Sequence, residues 1–128
     1  MEFQQKALRL TALLGALGIA LGALGAHAFE LVMTQDQLKS FETGVRYHML
    51  HIPVLLVLAL LNRHARSFWL FVAGIAMFSG SIYLLIAGQV LVWPLKWLWP
   101  VTPLGGIVLI CAWLSLMFSD RKKNERIN

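Results

Sequence analysis

Four long apolar runs, separated by short polar stretches, fix most of what this chain can become. A helix crossing a bilayer needs about 20 mostly apolar residues, and residues 8–28, 43–62, 68–88 and 102–119 each qualify. Hydrophobic residues make up 59% of the 128 and charged residues 13%, where soluble domains average roughly 45–50% and about 25%. A soluble domain this small has too little interior to hide that much apolar surface. The expected fold is all-α: one transmembrane domain over residues 1–128, built as a four-helix bundle.

The second run is interrupted by Pro53. A helix starting there would cover only residues 53–62, roughly 15 Å, about half a bilayer. The span must therefore run back through Pro53, with a kink expected at that point. Arg46, Tyr47, His48 and His51 then lie at membrane depth.

Orientation follows from lysine and arginine placement. Lys6, Arg9, Arg63, Arg66, Arg121, Lys122, Lys123 and Arg126 fall on the side that the two termini share. Only Lys39, Arg46 and Lys96 fall opposite. Both termini are expected in the cytoplasm. The net charge of +5 does not point to nucleic acid, because no basic stripe runs along a polar helix. The tail from Asp120 is most simply a stop signal facing anionic lipid. Lys6 and Arg9 before an apolar run ending Ala26-His27-Ala28 also resemble a cleavable leader, but the run is long and its four glycines suit helix packing. An uncleaved first helix is expected. The single cysteine, Cys111, sits in an apolar run and is expected to be a small core hydrophobe.

On a helical wheel, the leucines of the first span occupy one arc and Gly15, Gly18, Gly22 and Gly25 an adjacent one. Ala12, Ala16, Ala20, Ala23 and Ala26 fill much of the remainder. The leucines are expected to face lipid and the Gly/Ala surface to face protein, since small residues let backbones approach where hydrophobic drive is absent. Whether Gly18 and Gly22 pack within the chain or against a second copy is open. His27 falls on the alanine side and is expected to point into the bundle.

In the second span Thr43, Tyr47 and His51 share a face, with His48 at its margin. Glu42 and Arg46 are spaced for an ion pair. His51 is 11 residues before Asn62, roughly 16 Å, near the bilayer midplane. Ser79 and Ser81 in the third span have similar expected depth. The candidate polar or ligand cluster is therefore His27, Thr43, Tyr47, His51, Ser79 and Ser81, serving as structural glue or as a site for a solute, proton or cofactor. Trp93, Trp97 and Trp99 around Lys96 mark an interfacial loop over residues 89–101. Thr102 suits an N-cap and Pro103 a first helical turn.

No phosphate loop, dinucleotide fingerprint, zinc-protease helix or paired-carboxylate site is visible, so no catalytic residue is assigned. His48 and His51, with His27 approaching from the first span, would bind metal or haem only if brought together. One pair of known spacing is a weak signal, and no metal or cofactor is assigned.

Gly25-Ala26-His27-Ala28, then Phe41, Thr43, Gly44, Tyr47 and His51, then Phe78-Ser79-Gly80-Ser81 with Tyr83, and Thr102-Pro103 with Gly105-Gly106 together resemble domain-of-unknown-function family 423. That group, also known as uncharacterised protein family UPF 0382, includes small bacterial inner-membrane proteins and relatives of transmembrane protein 256. The match covers nearly the whole chain in order; His48 departs from the glutamine expected there, and the tryptophan-rich loop is longer than expected. The resemblance implies four helices in the cytoplasmic membrane and brings no known site residues. Beside the lipid bilayer, a membrane-protein partner or a homo-oligomer is the expected company, and nucleic acid is not. Three functions follow as expectations: a non-enzymatic protein that binds a partner or supports membrane integrity, which is favoured; a small transport or permeation element; and a histidine-ligated metal or haem protein.

Overall fold

The computed structural model describes residues 2–118. Four helical stretches are long and apolar enough to cross a membrane: α1 (Glu2–His27), α2 (Gln35–Leu61), α3 (Ala65–Leu91) and Lys96–Met117, in which a short 3-10 turn leads into α4 (Val101–Met117). The basic residues Arg121, Lys122, Lys123 and Arg126, and the last residue expected for the fourth span, Ser119, lie outside the described residues. Contacts show that the helices alternate in direction. At one end the Gln4 side-chain amide donates to the Leu60 carbonyl (3.3 Å), Phe3 meets Phe68 edge-on, and the Ser67 and Ser115 hydroxyls pair at 2.7 Å. At the other end Phe41 packs on Gly25, and Gln37 donates to Gln89 (3.1 Å). We call these the terminal end and the tryptophan end.

Three helices are longer than the apolar runs that betrayed them. α2 begins at Gln35 rather than residue 43, because Thr34 and Gln37 form a reciprocal capping box that satisfies the first free backbone donors. The polar turns 35–42 are thus helix, although nothing in their hydropathy says so. The helix passes through Pro53 without a break. α3 extends to Leu91 and contains a π turn, Ala76–Gly80, between two α-helical stretches. α4 starts at Val101 with Pro100 in the capping position. Thr102 lies inside the first turn and does not cap it; its hydroxyl is bonded elsewhere. Glu42 and Arg46 make no ion pair; the one present among the described residues joins Lys6 and Glu2.

Packing is densest toward the terminal end. Ala7, Leu55, Leu58, Ala59, Phe68, Phe71, Ile75, Leu109 and Ala112 form the continuous core. α1 packs along α2, and it does so through glycine. Gly15 faces Ile52, Gly18 faces Met49, Gly22 faces Val45 and Gly25 faces Phe41, so this stripe is used within the chain. The alanines behave differently from expectation: Ala12, Ala16, Ala20, Ala23 and Ala26 are exposed. One neighbour needs only one narrow stripe, and glycine permits the closer approach. His27, at the end of α1, is likewise exposed and does not turn into the bundle. Cys111, expected in the core, is exposed on α4.

α4 is held to α3 by two more close approaches. Gly74 faces Leu109, and Gly105 lies directly against the backbone of the π turn. A Cβ on Gly105 would stand 2.7 Å from the Met77 carbonyl carbon and closer still to the Phe78 nitrogen, whereas one on Gly80 would meet nothing within 4 Å. Backbone cannot swing aside as a side chain can. Gly105→Ala should therefore cost about 2–3 kcal/mol in reversible unfolding from mixed micelles. Gly80→Ala in the same assay should be neutral or stabilising by up to about 1 kcal/mol.

Candidate functional site

Most polar residues within the spans are bonded across helices or to backbone; the buried Thr11 hydroxyl of α1 has no partner among the described residues. His51 is buried on α2. Its Nε2 accepts from the Trp113 indole N–H of α4 (3.2 Å), so the ring proton sits on Nδ1 and is donated to the Tyr47 carbonyl (2.6 Å). Ser79 donates to the Gly44 carbonyl (2.7 Å). Ser81 pairs with Thr102 (2.6 Å) and donates to the Phe78 carbonyl (3.0 Å). Thr43 donates back to the Lys39 carbonyl (3.0 Å). The expected network of His51, Tyr47 and the serines therefore does not form. Ser79 lies level with Gly44, seven residues and roughly 10 Å from His51 along α2. Tyr47 turns its ring onto Phe78 (4.8 Å between centroids) and is 42% exposed.

The main junction instead falls on His48, 2% exposed. Its Nε2–H donates to the Leu14 carbonyl of α1 (2.8 Å), which leaves Nδ1 to accept from the Tyr83 hydroxyl of α3 (3.0 Å). A backbone carbonyl can only accept, so the partners dictate the tautomer. One imidazole thus ties three helices together. Gly18 lies beside this bond: a Cβ there would run into the Met49 sulfur and would only touch the imidazole Nε2, at 3.4 Å. Both ring nitrogens of His48 and of His51 are engaged, and His27 is remote and exposed. Among the described residues no group of three or more His, Cys, Asp or Glu side chains could hold a metal ion.

The geometry leaves one large concavity. Toward the tryptophan end α2 and α4 diverge across α3 and leave a groove in two connected lobes. The outer lobe, about 640 Å³, has Asp36, Gln37, Ser40, Gln89 and Thr102 at its mouth and Ile82 and Ile86 at its base. The deeper lobe, about 440 Å³, runs past Tyr47, Gly106, Ile107 and Ile110. Phe78 and Pro103 line both lobes. The His51–Trp113 bond closes the deep end. Of the candidate cluster, Thr43, Tyr47 and His51 line this groove; Ser79 and Ser81 serve helix contacts behind it, and His27 is not part of it. His48, Tyr83, Trp113 and Thr102 were missed as site residues. Tyr83 stands two residues after Ser81 and Trp113 interrupts an apolar run, but which way each faces depends on helix rotation that the sequence does not specify.

Residues 21–106 match the family model described as "Protein of unknown function (DUF423)". The chain belongs to the DUF423 family. Three relatives extend the match to most of the DUF423 chain. It is 37% identical to a UPF0382 membrane protein of Haemophilus influenzae, over 95% of this chain and 98% of the relative. It is 36% identical to UPF0382 membrane protein YwdK of Bacillus subtilis, over 83% and 88%. It is 30% identical to UPF0382 inner membrane protein YgdD of Escherichia coli K12, over 91% of each. No solved structure matches.

Removing the imidazole at position 48 strands a carbonyl and a phenol in the packed interior and opens a cavity. His48→Ala should cost about 2–4 kcal/mol in micelle unfolding, mostly from the cavity, since interhelical hydrogen bonds in membranes average only about 0.6 kcal/mol. His48→Gln, whose amide can donate to the Leu14 carbonyl, should recover roughly half of that loss.

Proposed function

We propose that this chain is a non-enzymatic protein of the bacterial cytoplasmic membrane, with both termini in the cytoplasm, that binds a membrane-embedded partner through the groove between α2 and α4. The observation that carries the reading is the groove. Elsewhere the helices meet through glycine contacts and hydrogen bonds, with a smaller hollow of about 230 Å³ beside Gly22 and Gly25, and here they stand apart over apolar walls. A concavity of several hundred Å³ with a few polar groups at one end is the usual form of a binding site. The non-enzymatic part rests on the histidines, the natural proton-transfer groups at this depth. Both buried rings are fully bonded in structural roles. The location is supported by the inner-membrane name of the E. coli relative and the orientation by the asymmetry of Lys and Arg.

Permeation is less well supported. Among the described residues Phe71 packs on His51 and Phe78 on Tyr47, and the His48, Ser79 and Ser81 side chains are spent on bonds to neighbouring helices and backbone.

A photo-crosslinking residue at Ile82 or Ile107 should capture a discrete adduct in native membranes, while the same residue at Leu13, exposed on α1, should not. Equal labelling at all three positions would count against the groove. For orientation, a cysteine replacing Trp97, in a Cys111→Ser background, should react with an impermeant maleimide from outside intact cells, and a C-terminal reporter should stay protected. The reverse pattern would overturn the assigned topology.

A further inference from the structure

We propose that the occupant of the groove is a single phospholipid of one leaflet, with an amine-bearing headgroup at Asp36 and an acyl chain lying along Phe78 and Ile107 to the His51–Trp113 bond. The proposal rests on the groove being the binding surface, as set out above, and names what it binds.

Three observations favour a lipid over a partner helix. The first is length. From Asp36 at the mouth to His51 at the closed end, α2 advances 15 residues, roughly 22 Å, about half of a bilayer counted with its headgroup layers. A spanning helix would need a groove along the whole bundle, but this one is stopped midway by the indole–imidazole bond. The second is graded polarity. The mouth carries a carboxylate, amides and hydroxyls, together with Trp99, a residue type that prefers the headgroup layer. The deep lobe is lined almost wholly by apolar groups. That gradient matches one amphipathic molecule standing upright in a leaflet.

The third is charge. Asp36 is the one charged side chain lining either lobe, and among the described residues no cation pairs with it. A primary ammonium finds a counter-ion there. A headgroup with net negative charge finds no cationic side chain in the lining. The headgroup phosphate would be served by neutral donors: the Gln89 amide N–H groups, free because Gln89 accepts from Gln37 through its oxygen, and the Ser40 hydroxyl. Deeper in, the Tyr47 hydroxyl has no hydrogen-bond partner among the described residues.

The test uses the full chain in detergent micelles doped with equal amounts of phosphatidylethanolamine and phosphatidylglycerol of matched acyl chains, read by native mass spectrometry. The wild type should retain one lipid, with phosphatidylethanolamine preferred about fivefold, the ratio expected of a partly exposed ion pair. Asp36→Asn should still retain one lipid, with the preference reduced to near unity. Ile107→Trp, at an exposed position that faces the groove, should lose retention at least tenfold while keeping wild-type helical content. Gly106→Leu, where a Cβ meets only ordinary contacts, is a second filling variant should the first misfold. Bare protein, equal retention of both lipids by the wild type, or undiminished retention by the filled variants would each overturn the proposal. If lipid retention fails while crosslinks from Ile82 and Ile107 capture a protein, the groove stands as a binding surface and the lipid assignment alone falls.

Discussion

Hydrocarbon offers no hydrogen-bond partner, and in this bundle that shortage decides which helices are joined and where. Each polar side chain buried among the helices must find its partner inside the protein, or leave a group stranded at a cost of several kcal/mol. Backbone carbonyls supply much of what is needed. Leu14, Gly44, Tyr47, Phe78 and Ala112 each accept from a side chain as well as serving their own helix. His48 is the fullest expression of this, since its two nitrogens reach two other helices and bind α1, α2 and α3 into one body.

Glycine is the complement of that chemistry. Bare positions let α1 and α2 approach closely: Gly18 leaves room for the Met49 side chain and Gly25 for the Phe41 ring. Gly105 lets α4 lie on the backbone of the π turn. Where glycine and polar bonds run out, between α2 and α4 toward the tryptophan end, the helices stand apart. The groove is thus a consequence of how the bonds are distributed, with the His51–Trp113 contact setting its depth.

Much of this architecture was legible in the apolar runs. They gave four spans, and simple length arithmetic carried α2 through Pro53. The boundaries were less legible, because hydropathy reports which residues like lipid, and a helix continues into water wherever its ends are capped. Residues 35–42 are helical because Thr34 and Gln37 close a capping box. The candidate site was legible only in part. Tyr47 and His51 were singled out as polar groups of the second span, and both line the groove, but their partners depended on rotation about helix axes and on register between helices. The wheel put His48 at a margin, and its burial follows from α1 packing on that side through glycine. Placing both serines beside His51 assumed a third span that begins at residue 68; α3 begins at Ala65, so Ser79 lies 14 residues from its start, against 10 from His51 to Leu61, and reaches the level of Gly44. The alanines of α1 and His27 failed for the opposite reason: α1 has one helical neighbour, so a surface that reads as a packing face is left exposed.

The central claim is that α2 and α4 remain apart in a bilayer and that the gap ends at the His51–Trp113 bond. A structure determined in lipid nanodiscs, with a bound antibody fragment to add mass, tests it most directly. Separated helices, with elongated density running from the level of Asp36 to the indole–imidazole contact, are the expected result. Closure of α2 onto α4 between Thr43 and His51, with the groove gone, would contradict it.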